Sequence, residues 1–360
     1  MFKLPEYKAP DFNEDRFVKA PNVTTIEVVK NGVAPDKYHA MTIYPEYFKI
    51  EGEWFLATES RMDCVAVIKE KHIDIVEFRN LKVGDRVVVG RNEDATEGIF
   101  VYNKGFTSWD HEAEVFAFRG TRSRETAYSR DYKELCDLLE YEKKNGGYIV
   151  WVLGPVLSFD KTARNAVSSL IDKGYMQALL AGNALATHDL ESAYLGTALG
   201  QDIYSQESVF DGHYNHLDLL NKVRGYGSIP EFINGEKIDS GIMNACVKND
   251  VPFVLASSLR DDGPLPEVVH SAYDAQDAMR KHTRKATTLI CLATQLHTIA
   301  SGNMTPSYTV QNGNVRNVFI YSVDISEFVV NKLRDRGTLE VKTLVTNVQD
   351  FVARLDRHLD

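Results

Sequence analysis

The chain has 360 residues, and 41 basic against 51 acidic side chains leave a net charge of −10. At about 150 residues per domain the length suggests two domains. A composition of 44% hydrophobic and 26% charged residues excludes a disordered or fibrous protein, and the acidic balance, with no Lys/Arg run longer than two, argues against nucleic acid, which needs a basic stripe.

The first residues, Met-Phe-Lys-Leu-Pro-Glu-Tyr-Lys, hold no apolar leader. The longest apolar stretch, Tyr148 to Leu157, is broken by Gly154 and Pro155 and falls short of a membrane span. No membrane partner and a cytoplasmic location are therefore expected. Cys64, Cys136, Cys246 and Cys291 lie far apart without a CxxC pair, so reduced thiols are expected rather than a disulfide framework or zinc site.

Residues 1–40, with Pro5, Pro10, Pro21 and Pro35, read as an N-terminal arm. Residues 41–125 are β-rich. Cys64–Ile68 and Asp74–Phe78 are predicted strands, and the turn at Gly84-Asp85 feeds the β-branched run ending at Val89. From residue 126 to 360 helices and strands alternate. Asp131–Lys144 is a predicted helix closed by Asn145-Gly-Gly147 and followed by a strand at Tyr148–Leu153. Helices are predicted at Thr162–Lys173, Ser240–Asn249, Pro266–Lys285 and Ser326–Arg336. Strands are predicted at Met176–Ala181, Val251–Ala256, Thr288–Ala293, Val318–Val323 and Val341–Val345. Asn347 can cap a last helix. Repeated strand–helix units with near-continuous apolar strands mean a parallel sheet with helices on both faces.

In such a sheet ligands bind beyond the carboxyl ends of the strands. Those ends carry small polar residues: Gly182 to Asp189, Ser257 to Pro264, Thr294 to Asn303, and Asp324. No GxGxxG occurs, and Gly225-Tyr-Gly227 reads as a turn. The segment from Thr288 to Asp324 keeps the nucleotide-binding logic in looser form, a strand leading through a helix with Gly302 to a second strand that ends in an acid. That acid would accept both ribose hydroxyls of an adenosine or, in the rival reading, cap the following helix.

Arg260-Asp261-Asp262 is the densest charge group at a strand end. Arg260 suits a bidentate carboxylate clamp, and adjacent carboxylates in a dry crevice suit proton transfer, with a salt-bridged surface turn as the alternative. His213 and His216 are spaced i,i+3. No third ligand follows at a useful distance, so no metal is expected; capping by Asp211 with His213 facing the crevice fits better. His188-Asp189 offers a second acid/base or cofactor contact, or a satisfied buried histidine.

These residues resemble one family. The resemblance is carried by Ala181-Gly-Asn-Ala-Leu-Ala-Thr-His-Asp-Leu-Glu191, Asp211-Gly-His-Tyr214, Ser240-Gly-Ile-Met243, Pro252-Phe-Val-Leu-Ala256, Leu259-Arg-Asp-Asp-Gly-Pro-Leu-Pro266, His297 with Gly302-Asn-Met304, and Val323-Asp-Ile325. Earlier parts are Tyr44–Trp54, Met62-Asp-Cys64 and Val83–Gly90. The sequence is similar to the LOR/SDH-type family, which includes NAD-dependent ornithine cyclodeaminases of archaea and the cyclodeaminase half of cyanobacterial bifunctional arginine dihydrolase/ornithine cyclodeaminases.

The resemblance implies a Rossmann-like NAD-binding and catalytic domain preceded by the smaller β-rich domain. It implies an ammonia-lyase that turns ornithine into proline with internal return of the hydride, and a homo-oligomer. The implied catalytic residues are Arg260, Asp261 or Asp262, and His213. The implied cofactor contacts are Gly182, Asn183, Ala184, Asp189, Ser257, Gly302, Asn303, Asp324, Ile325 and Asn347. The chain departs from the family in a shortened amino-terminal module, in Leu157-Ser-Phe-Asp160 where a His-Thr-Gly stretch is usual, and in Asn215 where a second histidine is usual. Two alternatives stay open, an NAD-dependent amino acid or imine oxidoreductase on another substrate, and a non-catalytic NAD-binding protein.

Overall fold

Apolar runs without polar alternation become strands buried on both faces, and they set the architecture of the larger part of the chain. The computed structural model describes residues 2–106, 127–261, 263–311, 313–326 and 339–360.

The first part holds a short helix α1 (Asp15–Val18) and seven strands: β1 (Thr24–Glu27), β2 (Glu46–Ile50), β3 (Glu53–Leu56), β4 (Cys64–Lys69), β5 (His72–Glu77), β6 (Arg86–Val89) and β7 (Ile99–Val101). They form two sheets, ordered β1-β6-β4-β5 and β3-β2-β7, with antiparallel neighbours. Phe48, Ile50, Ala66, Ile68, Ile75, Val88 and Ile99 pack in a common core between them. Residues 24–27 lie in the segment read as an arm, yet they pair along β6 from Thr24↔Val89 to Glu27↔Arg86. Their Thr-Thr-Ile run suits an edge strand.

The second part contains α2 (Ala127–Lys144), β8 (Ile149–Leu153), α3 (Lys161–Asp172), β9 (Ala178–Gly182), α4 (Asn183–Leu195), β10 (Thr197–Ala198) and β11 (Gln201–Asp202). Then come α5 (His213–Tyr226), α6 (Ile229–Glu236), α7 (Ile242–Lys248), β12 (Phe253–Ala256), β13 (Val268–Val269), α8 (Ala272–Thr283) and β14 (Thr288–Leu292). The chain continues through α9 (Gln295–Met304), β15 (Tyr308–Gln311), β16 (Asn314–Asn317), β17 (Phe319–Asp324), β18 (Glu340–Val345) and α10 (Val348–His358). Seven strands form one sheet, β13-β12-β9-β8-β14-β17-β18, and every neighbouring pair is parallel.

Read from the far edge, β18-β17-β14-β8-β9-β12 has the order of a dinucleotide-binding fold, with the chain entering at its fourth strand. Period-2 burial splits β8 cleanly. Ile149, Trp151 and Leu153 face one core, and Val150 and Val152 face the other with Leu180, Leu289 and Cys291. Trp151 satisfies its indole N–H on the Tyr175 carbonyl (2.8 Å).

Two predicted helices need comment. The one expected over 266–285 begins only at Ala272. Pro264 and Pro266 stop an earlier start, Val268–Val269 pairs as an edge strand, and Ser271 caps the helix on the Asp274 N–H. The one expected over 326–336 lies outside the described residues apart from Ser326. Helix α8 docks the two parts together through Arg280–Glu77 (2.6 Å), Arg284–Glu59 (2.5 Å) and Asp277–Arg79 (2.6 Å). From the β15–β16 hairpin Tyr308 donates to the Ala57 carbonyl (2.6 Å).

Candidate active site

The sheet reverses its winding between β8 and β14, and a crevice opens beyond their carboxyl ends. The two strand ends almost touch there. A Cβ on Gly154 would lie 1.9 Å from the Ala293 carbonyl oxygen, so only glycine fits. Ala293 itself takes a left-handed φ of 51°, a strained conformation for a residue with a side chain. From this contact one chain turns through Pro155–Ser158 into α3, and the other turns through Thr294 into α9.

Side-chain capping differs among the helices, and α1, α5 and α7 also lack a capping side chain at their N-cap. Asp160, Ser228, Ser271 and Asn347 cap α3, α6, α8 and α10 with their side chains. The helices that follow the central strands β9 and β14 have no side-chain cap, at Gly182 for α4 and at Thr294 for α9. Their first amides and the positive ends of their dipoles are left for an anion.

His297, in the first turn of α9, lies over the start of α4; its Cε1 is 3.1 Å from where a Gly182 Cβ would stand. Burial lowers the pKa of His297, and the nearby Asp261 carboxylate offsets part of that shift. In the sequence His297 was only part of a motif, because nothing local ties it to Gly182. Asp261 folds back on its own turn, accepting from the Ser258 N–H (2.7 Å) and hydroxyl (3.3 Å). Arg260 is exposed and forms no ion pair among the described residues. Asp262 lies outside the described residues. A cavity of about 250 Å³ adjoins this loop, lined by Arg224, Gly227, Pro264, Leu265, Pro266 and His270.

The sequence-predicted cofactor residues divide. Gly182 and Ala184 are half-buried at the crevice. Asn183 is buried, and its Oδ1 accepts from the Leu265 N–H (3.0 Å), which ties this turn to the 263–266 loop. Ser257 donates to the His270 carbonyl (3.0 Å). Asp324 ends β17 and accepts from the Ser326 N–H through Oδ1 (2.9 Å), and Ile325 beside it is 75% exposed. Asn347 accepts from the Gln349 and Asp350 amides (2.8 and 3.1 Å), as a cap should.

Three expectations are corrected. Asp189 is fully buried; it accepts from Arg164 Nε (2.7 Å) and from the Ile242 and Met243 amides (2.9 and 2.8 Å), so it anchors α7 and is closed to a cofactor. Gly302 and Asn303 occupy the last turn of α9. A ten-residue helix is about 15 Å long, and this one starts at the crevice, so its last turn lies at the other edge of the sheet, where the Met304 carbonyl meets Thr283 at the end of α8. His213 is exposed and packs on Tyr214, and Asp211 gives α5 no side-chain cap, since Gly212 is the N-cap.

His216, one turn further, meets His188 at 5.3 Å between ring centroids, and Phe159 lies 5.0 Å from the same His188 ring. His188 Nδ1 is 3.2 Å from Glu191 Oε2. Burial alone would raise the Glu191 pKa. Hydrogen bonds from His188, the Gly200 amide and Thr197 outweigh it and hold the carboxyl below its usual value. Burial, aided by His188, lowers the pKa of His216.

Models of known families match nearly all of this architecture. One, described as the C-terminal Rossmann fold of arginine dihydrolase ArgZ-like proteins, matches residues 133–355, and another, for the first region of the same C-terminal part, matches residues 45–125. The chain belongs to the ArgZ-like C-terminal family. It is 37% identical over 344 residues to the bifunctional arginine dihydrolase/ornithine cyclodeaminase ArgZ of Synechocystis, covering 94% of this chain and 47% of that protein. It therefore spans about half the length of the bifunctional relatives it matches. It is 35% identical over 347 residues to the ornithine cyclodeaminase of Methanococcus maripaludis, covering 94% of this chain and 80% of that one. Among solved structures, a LOR/SDH protein of Methanococcus maripaludis superposes with a TM-score of 0.82 at 35% identity, over 94% of this chain and 98% of that chain. The ternary complex of AgrE with ornithine and NAD+ superposes with a TM-score of 0.60 at 34% identity, over 95% of this chain and 46% of that one.

The histidine environments give a stability prediction. His216, His282 and His297 all have pKa values depressed mainly by burial. The unfolded chain binds these protons at about pH 6.5 and the folded chain only below that. Stability is then level above pH 7 and falls as pH drops through 6.5, where the unfolded state binds more protons. The lowered Glu191 and Glu77 begin to act only within the usual carboxylate range, at the acid end of this window, while Glu267, raised by burial, contributes stability that grows as pH falls and so opposes the decline. Thermal melts from pH 8 to 5 should show a plateau and then a decline, and the decline should shrink in a His216→Gln/His297→Gln variant. A decline of the same slope in that variant would assign it to other groups.

Proposed function

We propose that this chain is an NAD-dependent ornithine cyclodeaminase that converts ornithine to proline and ammonia. The observation that carries the reading is the switch-point crevice, where two uncapped helix N-termini, the Gly154 and Gly182 close approaches and Asp324 come to one sheet edge. This donor set fits a dinucleotide. The amides that open α4 and α9 suit its pyrophosphate, the second carboxylate oxygen of Asp324 suits the ribose hydroxyls, and Ile325 offers apolar surface beside them.

When bound, NAD supplies a reversible acceptor for the hydride on the substrate α-carbon. The remaining tasks fall to the chain. Arg260, exposed and without an acidic partner among the described residues, suits a clamp on the α-carboxylate through two parallel hydrogen bonds. His297, held neutral by burial beside Asp261, suits removal of a proton from the α-ammonium. Ring closure needs little more than orientation, since holding the distal amine against the α-carbon is worth up to roughly 7–11 kcal/mol. Proline and ammonia together account for every atom of ornithine.

A homo-oligomer fits the exposed apolar side chains Leu199, Tyr204, Phe210 and Tyr214 of the 199–214 segment, with Phe210 at 92% exposure. Four buried free cysteines suit a reducing cytoplasm. Among the described residues no helix is long and apolar enough to cross a membrane.

The test is hydride bookkeeping. With ornithine and catalytic NAD, ammonia should accumulate without net NADH, and deuterium on the ornithine α-carbon should reappear on the α-carbon of proline. One NADH per ammonia would make the protein an amino acid dehydrogenase instead. A second test concerns the ribose acid. NAD should bind at least about tenfold tighter than NADP, near 1.4 kcal/mol, and Asp324→Ala should reduce that preference. Equal affinities by calorimetry in the unmodified protein would remove Asp324 from the role.

A further inference from the structure

We propose that His188, Glu191 and His216 form a binding site for a divalent transition-metal ion of the zinc class. His188 and Glu191 are spaced i,i+3 on α4, which puts them on one helix face, and His216 comes from the first turn of α5. One ligand atom from each residue lies within 4.8 Å of the other two. His188 Nδ1 and Glu191 Oε2 are 3.2 Å apart, close to the spacing of about 3.3 Å between neighbouring ligands of a tetrahedral zinc ion. An ion would replace the proton those two atoms share.

A second feature points into the same place. His216 Nδ1 is buried without a hydrogen-bond partner, although buried polar atoms of native proteins are nearly always paired. A metal ion is the partner an imidazole lone pair suits. Glu191 is also braced as a ligand carboxylate usually is. Thr197 Oγ1 (2.8 Å), the Gly200 amide (3.0 Å) and the Leu199 amide (3.1 Å) donate to it, and Asn215 donates to Thr197 (3.0 Å). Phe159 closes one side of the group against the His188 ring. Two imidazoles and one carboxylate select a zinc-class ion, whereas calcium and magnesium prefer all-oxygen sets. The sequence shows only the His213/His216 pair, because the remaining ligands lie on another helix. None of the three ligands is used in the proposed reaction, so this proposal stands or falls independently of it.

The test uses the full chain, stripped with a chelator and titrated with Zn²⁺ by calorimetry and with Co²⁺ by visible absorption. The expected result is one ion per chain, Co²⁺ ligand-field bands of a four- or five-coordinate site, and a higher melting temperature with Zn²⁺. Glu191 also pins a turn, so the decisive variant is His216→Ala, which removes a half-buried ring that makes no side-chain hydrogen bond among the described residues. It should weaken Zn²⁺ binding at least about tenfold, while His213→Ala leaves it unchanged. Three results would overturn the proposal: no saturable binding in the unmodified chain, equal binding in His216→Ala, or equal losses in both histidine variants.

Discussion

The contact between Gly154 and the Ala293 carbonyl is the constraint on which the rest of the site depends. Strands β8 and β14 pair in register from Ile149↔Thr288 to Leu153↔Leu292 and stay together until no side chain fits between them. They then part in opposite directions, Pro155 leading toward α3 and left-handed Ala293 toward α9. That parting makes the crevice, and it aims the uncapped start of α9 across the end of β8 toward Gly182. The strain at Ala293, about 1–3 kcal/mol for a residue of this kind, is sustained because the surrounding sheet fixes the backbone on both sides.

Buried ion pairs hold the walls of this crevice. Arg164 reaches from α3 to Asp189 on α4, and the same carboxylate caps α7, so three helices share one charge. Gly241 fits against the Arg164 guanidinium, where a Cβ would lie 2.2 Å from Nη2. On the same face, at the opposite end of the strands, Arg316 pairs with the buried Glu142, which also accepts from Thr288 at the start of β14. Pairs of this kind add little net stability, but removing one partner leaves a buried charge and costs about 3–5 kcal/mol. They therefore act as fixed registers between elements that carry the site.

Much of this was legible in the sequence where the physics is local. The strands β8, β9 and β14 show themselves as apolar runs, and Asn347 announces the cap it makes. Non-local physics hid the rest. Asp189 looks functional beside His188 because its partner Arg164 is on another helix. Gly302 looks like a phosphate-binding glycine because helix direction relative to the crevice is invisible in a string of residues. The usual glycine fingerprint is missing where Ala293 takes the left-handed turn itself. His297 carries no local signal of its position over Gly182. Threonines 24 and 25 were lost among prolines, although β6 supplies the edge they need.

Hydrogen exchange of the full chain with and without NAD tests the central claim most directly, that the dinucleotide lies across the two uncapped helix starts at the switch point. Amides 183–185 and 294–297 should exchange more slowly with NAD present, while the start of α10, already capped by Asn347, should be unchanged. Protection instead at the surface cavity lined by Thr42, Tyr44 and Arg91 in the β-rich part, with none at those two helix starts, would contradict the account.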